Sequence, residues 1–222
     1  MRHPVGRDAP DAEVRHALAR HGCAVCHLTH RSVGRFLKAL SYEQVNDIDV
    51  RAELRASRGF CALHAQRWLS MSGNVLGTAI IYRDVITAAL RGLDAPPERS
   101  GLRSLLSGRP REVGCVVCSA EADAEGRYVD ALVAALVDPA LADVLRHSDG
   151  LCLPHTRRAV ERGGKRAEPL LALARKHAEQ IVAELDEVIR KEDYRFKDEP
   201  RTDAERTAPR RAVAWTIGLD SA

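Results

Sequence analysis

The sequence predicts an all-α protein built from two duplicated helical repeats, each stapled by a Cys3His metal site and packed with the other as one pseudo-symmetric body. Three observations carry this expectation. Apolar residues recur at helical spacing along most of the chain, and no convincing run of alternating or β-branched strand residues interrupts them. The six cysteines fall into two like patterns of CxxC followed by CxxH. Matched residues recur around both patterns, which marks an internal duplication rather than a chance spacing.

A first short helix is predicted over about residues 11–20, with Pro10 and Asp11 as its start signal and Gly22 turning the chain into the first CxxC. A helix over 24–45 and a short one over 50–56 follow, the latter ended by Gly59. The next begins near Phe60, breaks near Gly73 and runs on to Arg91, where Gly92 stops it. The Pro- and Gly-bearing stretch from Leu93 to Gly114 reads as a connection. The second repeat follows the same order, with helices over 116–137, after Pro139, over 154–162 and, past Gly163 and Gly164, over 167–191. The predicted organisation is therefore a first repeat at 1–92, a connection at 93–114, a second repeat at 115–191 and a charged tail at 192–222. Acids and bases are mixed in that tail, which reads as a solvated strap packed on the body, with one helix near 203–215.

Composition excludes several classes. The 222 residues are 45% hydrophobic and 29% charged, enough apolar surface for a core. A net charge of +3 is too even to signal a phosphate-binding surface, so no nucleic-acid partner is expected. The longest uncharged run, Trp68 to Tyr82, is far short of the roughly 20 apolar residues that span a bilayer. The start MRHPVGRDAP lacks the apolar core of a signal peptide. A cytoplasmic protein without membrane insertion is expected, its thiols kept reduced.

The cysteine spacing carries the chemistry. Cys23 and Cys26 form one CxxC and Cys115 and Cys118 the other, while Cys61 and His64 form one CxxH and Cys152 and His155 the other. The offsets are 92 residues at the CxxC and 91 at the CxxH. Gly22 matches Gly114, Asp47 matches Asp138, Leu54 matches Leu145, Arg55 matches Arg146, Ser57 matches Ser148, Gly59 matches Gly150 and Arg67 matches Arg158. Each repeat holds three cysteines, so disulfides within it would leave one thiol over, whereas a Cys3His site uses all four groups. Zinc accepts thiolate and imidazole in tetrahedral geometry, and four protein ligands make a closed, structural site. Two zinc ions per chain are expected; an iron–sulfur cluster and metal-free thiol redox chemistry are the alternatives. The string CAVCH fits covalent haem attachment, but Ser119 stands where the second repeat would need a histidine, so His27 reads as a surface or supporting residue.

Both CxxC and CxxH sit where helices start, with free backbone N–H groups and a positive dipole end that lower thiol pKa values. Arg67 and Arg158, three residues past each ligand histidine, are placed to offset the negative charge of three thiolates on a divalent ion. Gly59 and Gly150 are expected to supply turns of positive φ. His3, His16, His21, His30, His147 and His177 match no ligand spacing and are expected to be non-ligands, and Trp68 to belong to the core. The long helices after each CxxH carry apolar stripes, Val75, Ala79, Tyr82, Ile86 and Leu90 in one and Leu170, Leu173, Ala174, His177, Ile181, Leu185 and Val188 in the other, expected to pack on each other or on a partner.

The chain resembles a family of bacterial proteins of uncharacterised function that carry two copies of CxxC followed by G-F/L-C-x-x-H. The resemblance runs from about Cys23 to Phe196 and includes Asp193-Tyr194-Arg195-Phe196 and Asp198-Glu199-Pro200. It maps Cys3His sets onto Cys23, Cys26, Cys61 and His64 and onto Cys115, Cys118, Cys152 and His155, and implies no activity. The second copy reads GLC in place of GFC.

No nucleophile with its base, phosphate loop or nucleotide fingerprint is evident. The expected function is a zinc-stapled helical module that presents a surface to a protein partner. A redox or metal sensor is the alternative, and an enzyme with one exchangeable ligand a weaker third.

Overall fold

In a computed structural model of the chain, residues 8–94 and 114–218 are described. Among them the chain is helical and contains no strand. The helices are α1 Asp8–Leu18, α2 Ala24–Ala39, α3 Ile48–Ala56, α4 Ala62–Leu69, α5 Val75–Asp94, α6 Val116–Ala135, α7 Pro139–Arg146, α8 Leu153–Gly163, α9 Glu168–Glu192 and α10 Asp203–Ile217. A π-helical turn, Leu40–Gln44, prolongs α2, and a 3-10 turn, Gly164–Ala167, joins α8 to α9. His3 and most of the expected connection, residues 95–113, lie outside the described residues.

The positions matched in sequence play matching local parts. Asp47 caps α3 by accepting the N–H groups of Asp49 and Val50, each at 3.0 Å, and Asp138 caps α7 by accepting that of Ala140 at 2.8 Å. Leu54 and Leu145 are buried, and the hydroxyls of Ser57 and Ser148 donate to their respective carbonyls. Gly59 and Gly150 hold φ of 91° and 69°, as the turn before each CxxH requires. A Cβ at Gly150 would stand 2.9 Å from Leu173 Cδ2, so the leucine tip would have to shift to admit one.

The chain divides into two compact units, one contiguous and one assembled from two separate segments of the chain. One comprises Met1–Arg31 with Ala124–Ala222, the other Ser32–Asp123. The discontinuous unit is built around Val14, Leu18, Leu28, Val129, Leu132 and Leu141, with Leu170 of α9 closing the cluster. In it α1 meets α7, where Arg15 pairs with Asp138, and α9 packs against α8 and α10. Within this unit the stripe on α9 is covered by α8 and α10, with Leu170, Ala174 and Ile181 buried.

The expected charged strap is an ordered helix docked on α9. Lys191 donates to both oxygens of Glu205 at 2.8 Å, and Glu205 and Thr202 form a capping box at the start of α10. The preceding turn is held by Arg190, which pairs with Glu187 and Glu199 and lies 4.8 Å over the Phe196 ring. The Asp193-to-Pro200 stretch thus folds α10 back along α9.

The contiguous unit is built around Leu37, Leu40, Leu54, Phe60, Trp68 and Ile81. Trp68 is a core residue, its indole N–H donating to Thr78 Oγ1 at 2.9 Å and its ring 5.2 Å from that of Phe60. Here α5 packs on α3 through Ile81 and Val85, while Val75, Ile86 and Leu90 of the expected stripe are exposed. The reason is that α5 is apolar nearly all round, so periodicity does not choose a face. Asp84 does, by pairing with Arg51 at 3.1 Å and Arg55 at 2.5 Å on α3.

Candidate metal centres

Cys152 and Cys61 start α8 and α4 from almost the same backbone, φ −65° and ψ 164° against φ −64° and ψ 164°. Each puts its histidine three residues on, in the first helical turn, where cysteine and imidazole share a face. The CxxC cysteines enter the starts of α2 and α6, the first through a knuckle at Gly22 with φ of 90°. Asp149 holds that knuckle by accepting the Gly22 N–H at 2.7 Å, and His27 Nε2 lies 2.6 Å from the His21 carbonyl oxygen.

All eight expected residues gather into two groups whose ligand atoms lie within 4.8 Å of one another, but the groups are not those expected. Cys23 and Cys26 meet Cys152 and His155, and Cys61 and His64 meet Cys115 and Cys118. Each group thus joins the CxxC of one repeat to the CxxH of the other, correcting the expectation that each repeat closes its own set. The CxxC and CxxH of the first repeat are separated by the continuous helical run from Ala24 to Gln44, ~30 Å of rise that begins in one compact unit and ends in the other. Each group lies wholly within one compact unit.

In the discontinuous unit, His155 Nδ1 lies 3.3 Å from Cys23 Sγ, 3.4 Å from Cys26 Sγ and 3.1 Å from Cys152 Sγ. The Cys26 and Cys152 sulfurs are 3.7 Å apart, and all four residues are buried. In the contiguous unit, His64 Nδ1 lies 3.2 Å from Cys61 Sγ, 3.4 Å from Cys118 Sγ and 3.8 Å from Cys115 Sγ, with Cys61 and Cys118 3.6 Å apart. A tetrahedral zinc ion with its usual bond lengths sets edges of about 3.8 Å between sulfurs and about 3.6 Å between sulfur and nitrogen. Both groups fit one ion of that size. The cysteines form no disulfide.

The protonation pattern points the same way. Burial resists ionisation of Cys23, yet hydrogen bonds from Cys152, Cys26 and His155 hold its pKa well below the usual thiol value. Cys26 is pushed far up by hydrogen bonding with Cys152 and Cys23 and by burial. Burial works to lower the His155 pKa, and the thiols of Cys152 and Cys23 more than reverse it, to about 10. In the other group burial opposes ionisation of Cys61, but hydrogen bonds from the His64 backbone and Cys118 lower its pKa, while burial and Cys61 push Cys118 up to about 12. Burial lowers the His64 pKa, against the opposing charge of Glu121. Gathering thiols this closely favours a cation that lets them all ionise.

A carboxylate backs each histidine. Glu125 Oε1 lies 3.0 Å from His155 Nε2, and its other oxygen pairs with Arg158. Glu121 Oε2 lies 3.4 Å from the buried His64 Nε2. A carboxylate this close to Nε2 favours the tautomer that leaves Nδ1 for a metal, as Glu125 does for His155, whereas His64 Nε2 makes no hydrogen bond among the described residues. Arg158 therefore acts through Glu125 rather than directly on the thiolates. Sequence reasoning missed both glutamates, although Glu121, three residues past Cys118, sits on the helical face of that ligand. It also missed Gly218, which ends α10 at φ 77° with its carbonyl oxygen 3.4 Å from Cys26 Sγ. His16, His21, His30, His147 and His177 belong to neither group.

The chain is all-α, and each of its two units gathers three cysteines and a histidine that could hold a metal ion. The chain belongs to the family described as Family of unknown function (DUF6062), whose model matches residues 13–221. It is 27% identical over 179 residues to an uncharacterized 23.9 kDa protein in the xynA 3' region of Caldicellulosiruptor sp. (strain Rt8B.4), covering 78% of this chain and 83% of that one. No solved structure matches it. No helix among the described residues is long and apolar enough to cross a membrane.

Proposed function

We propose that the chain is a non-catalytic, cytoplasmic helical module that binds two structural zinc ions and works through a protein partner. The observation that carries this reading is the pair of compact ligand sets, each with three sulfurs and one imidazole nitrogen at the edge lengths of a single tetrahedral ion. A multi-iron cluster interposes iron and sulfide between its thiolates and needs them farther apart. Four protein ligands leave no open position for substrate, which supports a structural role. The apolar side chains that α5 leaves exposed, Val75, Ile86 and Leu90, support a protein partner. Elemental analysis and a visible spectrum of protein purified without oxygen test the metal. Two zinc ions in a colourless protein are expected; iron with sulfide in a brown one would overturn the reading.

One observation favours a thiol-based sensor as the second reading: Cys118 is exposed, with Cys61 Sγ 3.6 Å away. Hydrogen peroxide would take two electrons from these thiolates and two protons from solvent, leaving as two waters while the sulfurs join as a disulfide and the ion departs. Release of one zinc ion per chain by peroxide, with the other retained, would support this reading, and retention of both would remove it.

A further inference from the structure

The face of α5 turned away from the core of its unit carries a regular pattern. Ile81 and Val85 are buried, whereas Leu76, Ala79, Arg83, Ile86, Leu90 and Leu93 are all exposed, Leu76 at 72% and Leu93 at 80%. These six follow one another at intervals of 3, 4, 3, 4 and 3 residues and so form one seam of ~26 Å down the helix. That is the spacing by which a helix receives another at a shallow crossing angle. Solvent alone calls for polar residues along such a seam, and four of the six are large and apolar.

The seam is complementary to itself when reversed. Laid antiparallel on a second copy, Leu76 faces Leu93, Ala79 faces Leu90 and Arg83 faces Ile86, so the small residue and the charged one each meet a large apolar side chain. A parallel alignment would set Ala79 against Ala79, which leaves a gap, and Arg83 against Arg83, which opposes two like charges. The exposed seam offers roughly 500 Å² per chain, hence about 1,000 Å² over a symmetric pair, enough to reach the range of specific interfaces.

We propose that α5 pairs with α5 of a second copy of this chain, antiparallel about a two-fold axis that passes between Arg83 and Ile86. Every contact across the axis is then made twice. The inference rests on reading the apolar side chains of α5 as a partner surface, and it names that partner.

The test is sedimentation equilibrium of the full, metal-loaded chain from about 1 to 200 μM, where a dimer with a micromolar Kd is expected. Ile86→Lys sets a second cation against the partner's Arg83 and should weaken the dimer about tenfold or more. Ile86→Glu sets a carboxylate there and should weaken it at least about threefold less than the lysine does. A parallel seam would oppose like charges in both variants and weaken equally. Because Ile86 is exposed, neither substitution should change the metal content. A monomer at about 200 μM, a dimer that neither substitution weakens, or one that both weaken equally would overturn the proposal. The mass of the unmodified chain stands as a test even if a variant fails to fold. Metal analysis of the same samples separates the two readings: a monomer with two zinc ions overturns the pairing alone, and a dimer without zinc overturns the zinc reading alone.

Discussion

The sulfurs of Cys26 and Cys152 lie 3.7 Å apart although 126 residues separate them in the chain. Cys61, the counterpart of Cys152 in the repeated motif, instead lies 3.6 Å from Cys118. The two contacts tie the ends of long stretches of chain together, one in each unit. A cross-link of that kind constrains the unfolded chain more than a local one would, so metal and fold are expected to be strongly coupled.

Stripping the metal should therefore lower the melting temperature. The helices α4 and α7 have only eight residues each, too few to persist without tertiary support, and α4 carries a ligand histidine. Calorimetry before and after exhaustive chelation at neutral pH checks this. Identical melting curves would show that the ligand sets are incidental to stability.

Gly218 ends α10 against the first set. A Cβ there would stand 3.2 Å from Cys152 Sγ and 3.7 Å from Cys26 Sγ, and the φ of 77° disfavours any other residue by about 1 kcal/mol. Gly218→Ala should lower stability and speed chelator-driven loss of one of the two ions. Equal acceleration of both ions, or of neither, would count against the placement of α10.

Glu125 connects His155 to Arg158. Glu125→Gln weakens the hydrogen bond that orients the imidazole and leaves Arg158 without its carboxylate, so metal affinity of the first set should fall by about 10- to 100-fold. Competition with a chromophoric chelator measures it. Arg158→Ala, one step farther out, should cost less.

The docking of α10 should depend on pH. Lys191 holds Glu205 below the usual carboxylate value of 4.5, against an opposing effect of burial and with help from the Thr202 N–H. A carboxyl whose folded pKa is depressed contributes stability above its unfolded value and loses it as pH falls through the folded one. Amide protection in α10, referred to the intrinsic exchange rate at each pH, should therefore fall on acidification below about pH 4.5, and Glu205→Gln should remove much of that dependence. An α10 whose protection relative to the intrinsic rate is the same at pH 7 and below about pH 4 would contradict the role of the pair.

The eight cysteines and histidines that gather into two groups and most helix positions were legible in the sequence because each is a local signal: CxxC and CxxH spacings, Asp47 and Asp138 as caps, Gly59 and Gly150 as turns. The pairing of Cys26 with Cys152 was not local. It joins residues 126 apart in the chain, a contact that no motif records. The buried face of α5 was ambiguous because apolar residues surround it, and Asp84 decides it only through α3. Glu125 and Gly218 were invisible because their partners lie on elements far away in sequence.

Paired serine substitutions test the exchange of motifs most directly, read as metal bound per chain in protein purified without oxygen. Cross-motif pairing predicts that Cys26→Ser with Cys152→Ser spoils one set and leaves one ion, while Cys26→Ser with Cys61→Ser spoils both and leaves none. One ion retained by the second variant and none by the first would contradict it, and would return each CxxC to the CxxH of its own repeat.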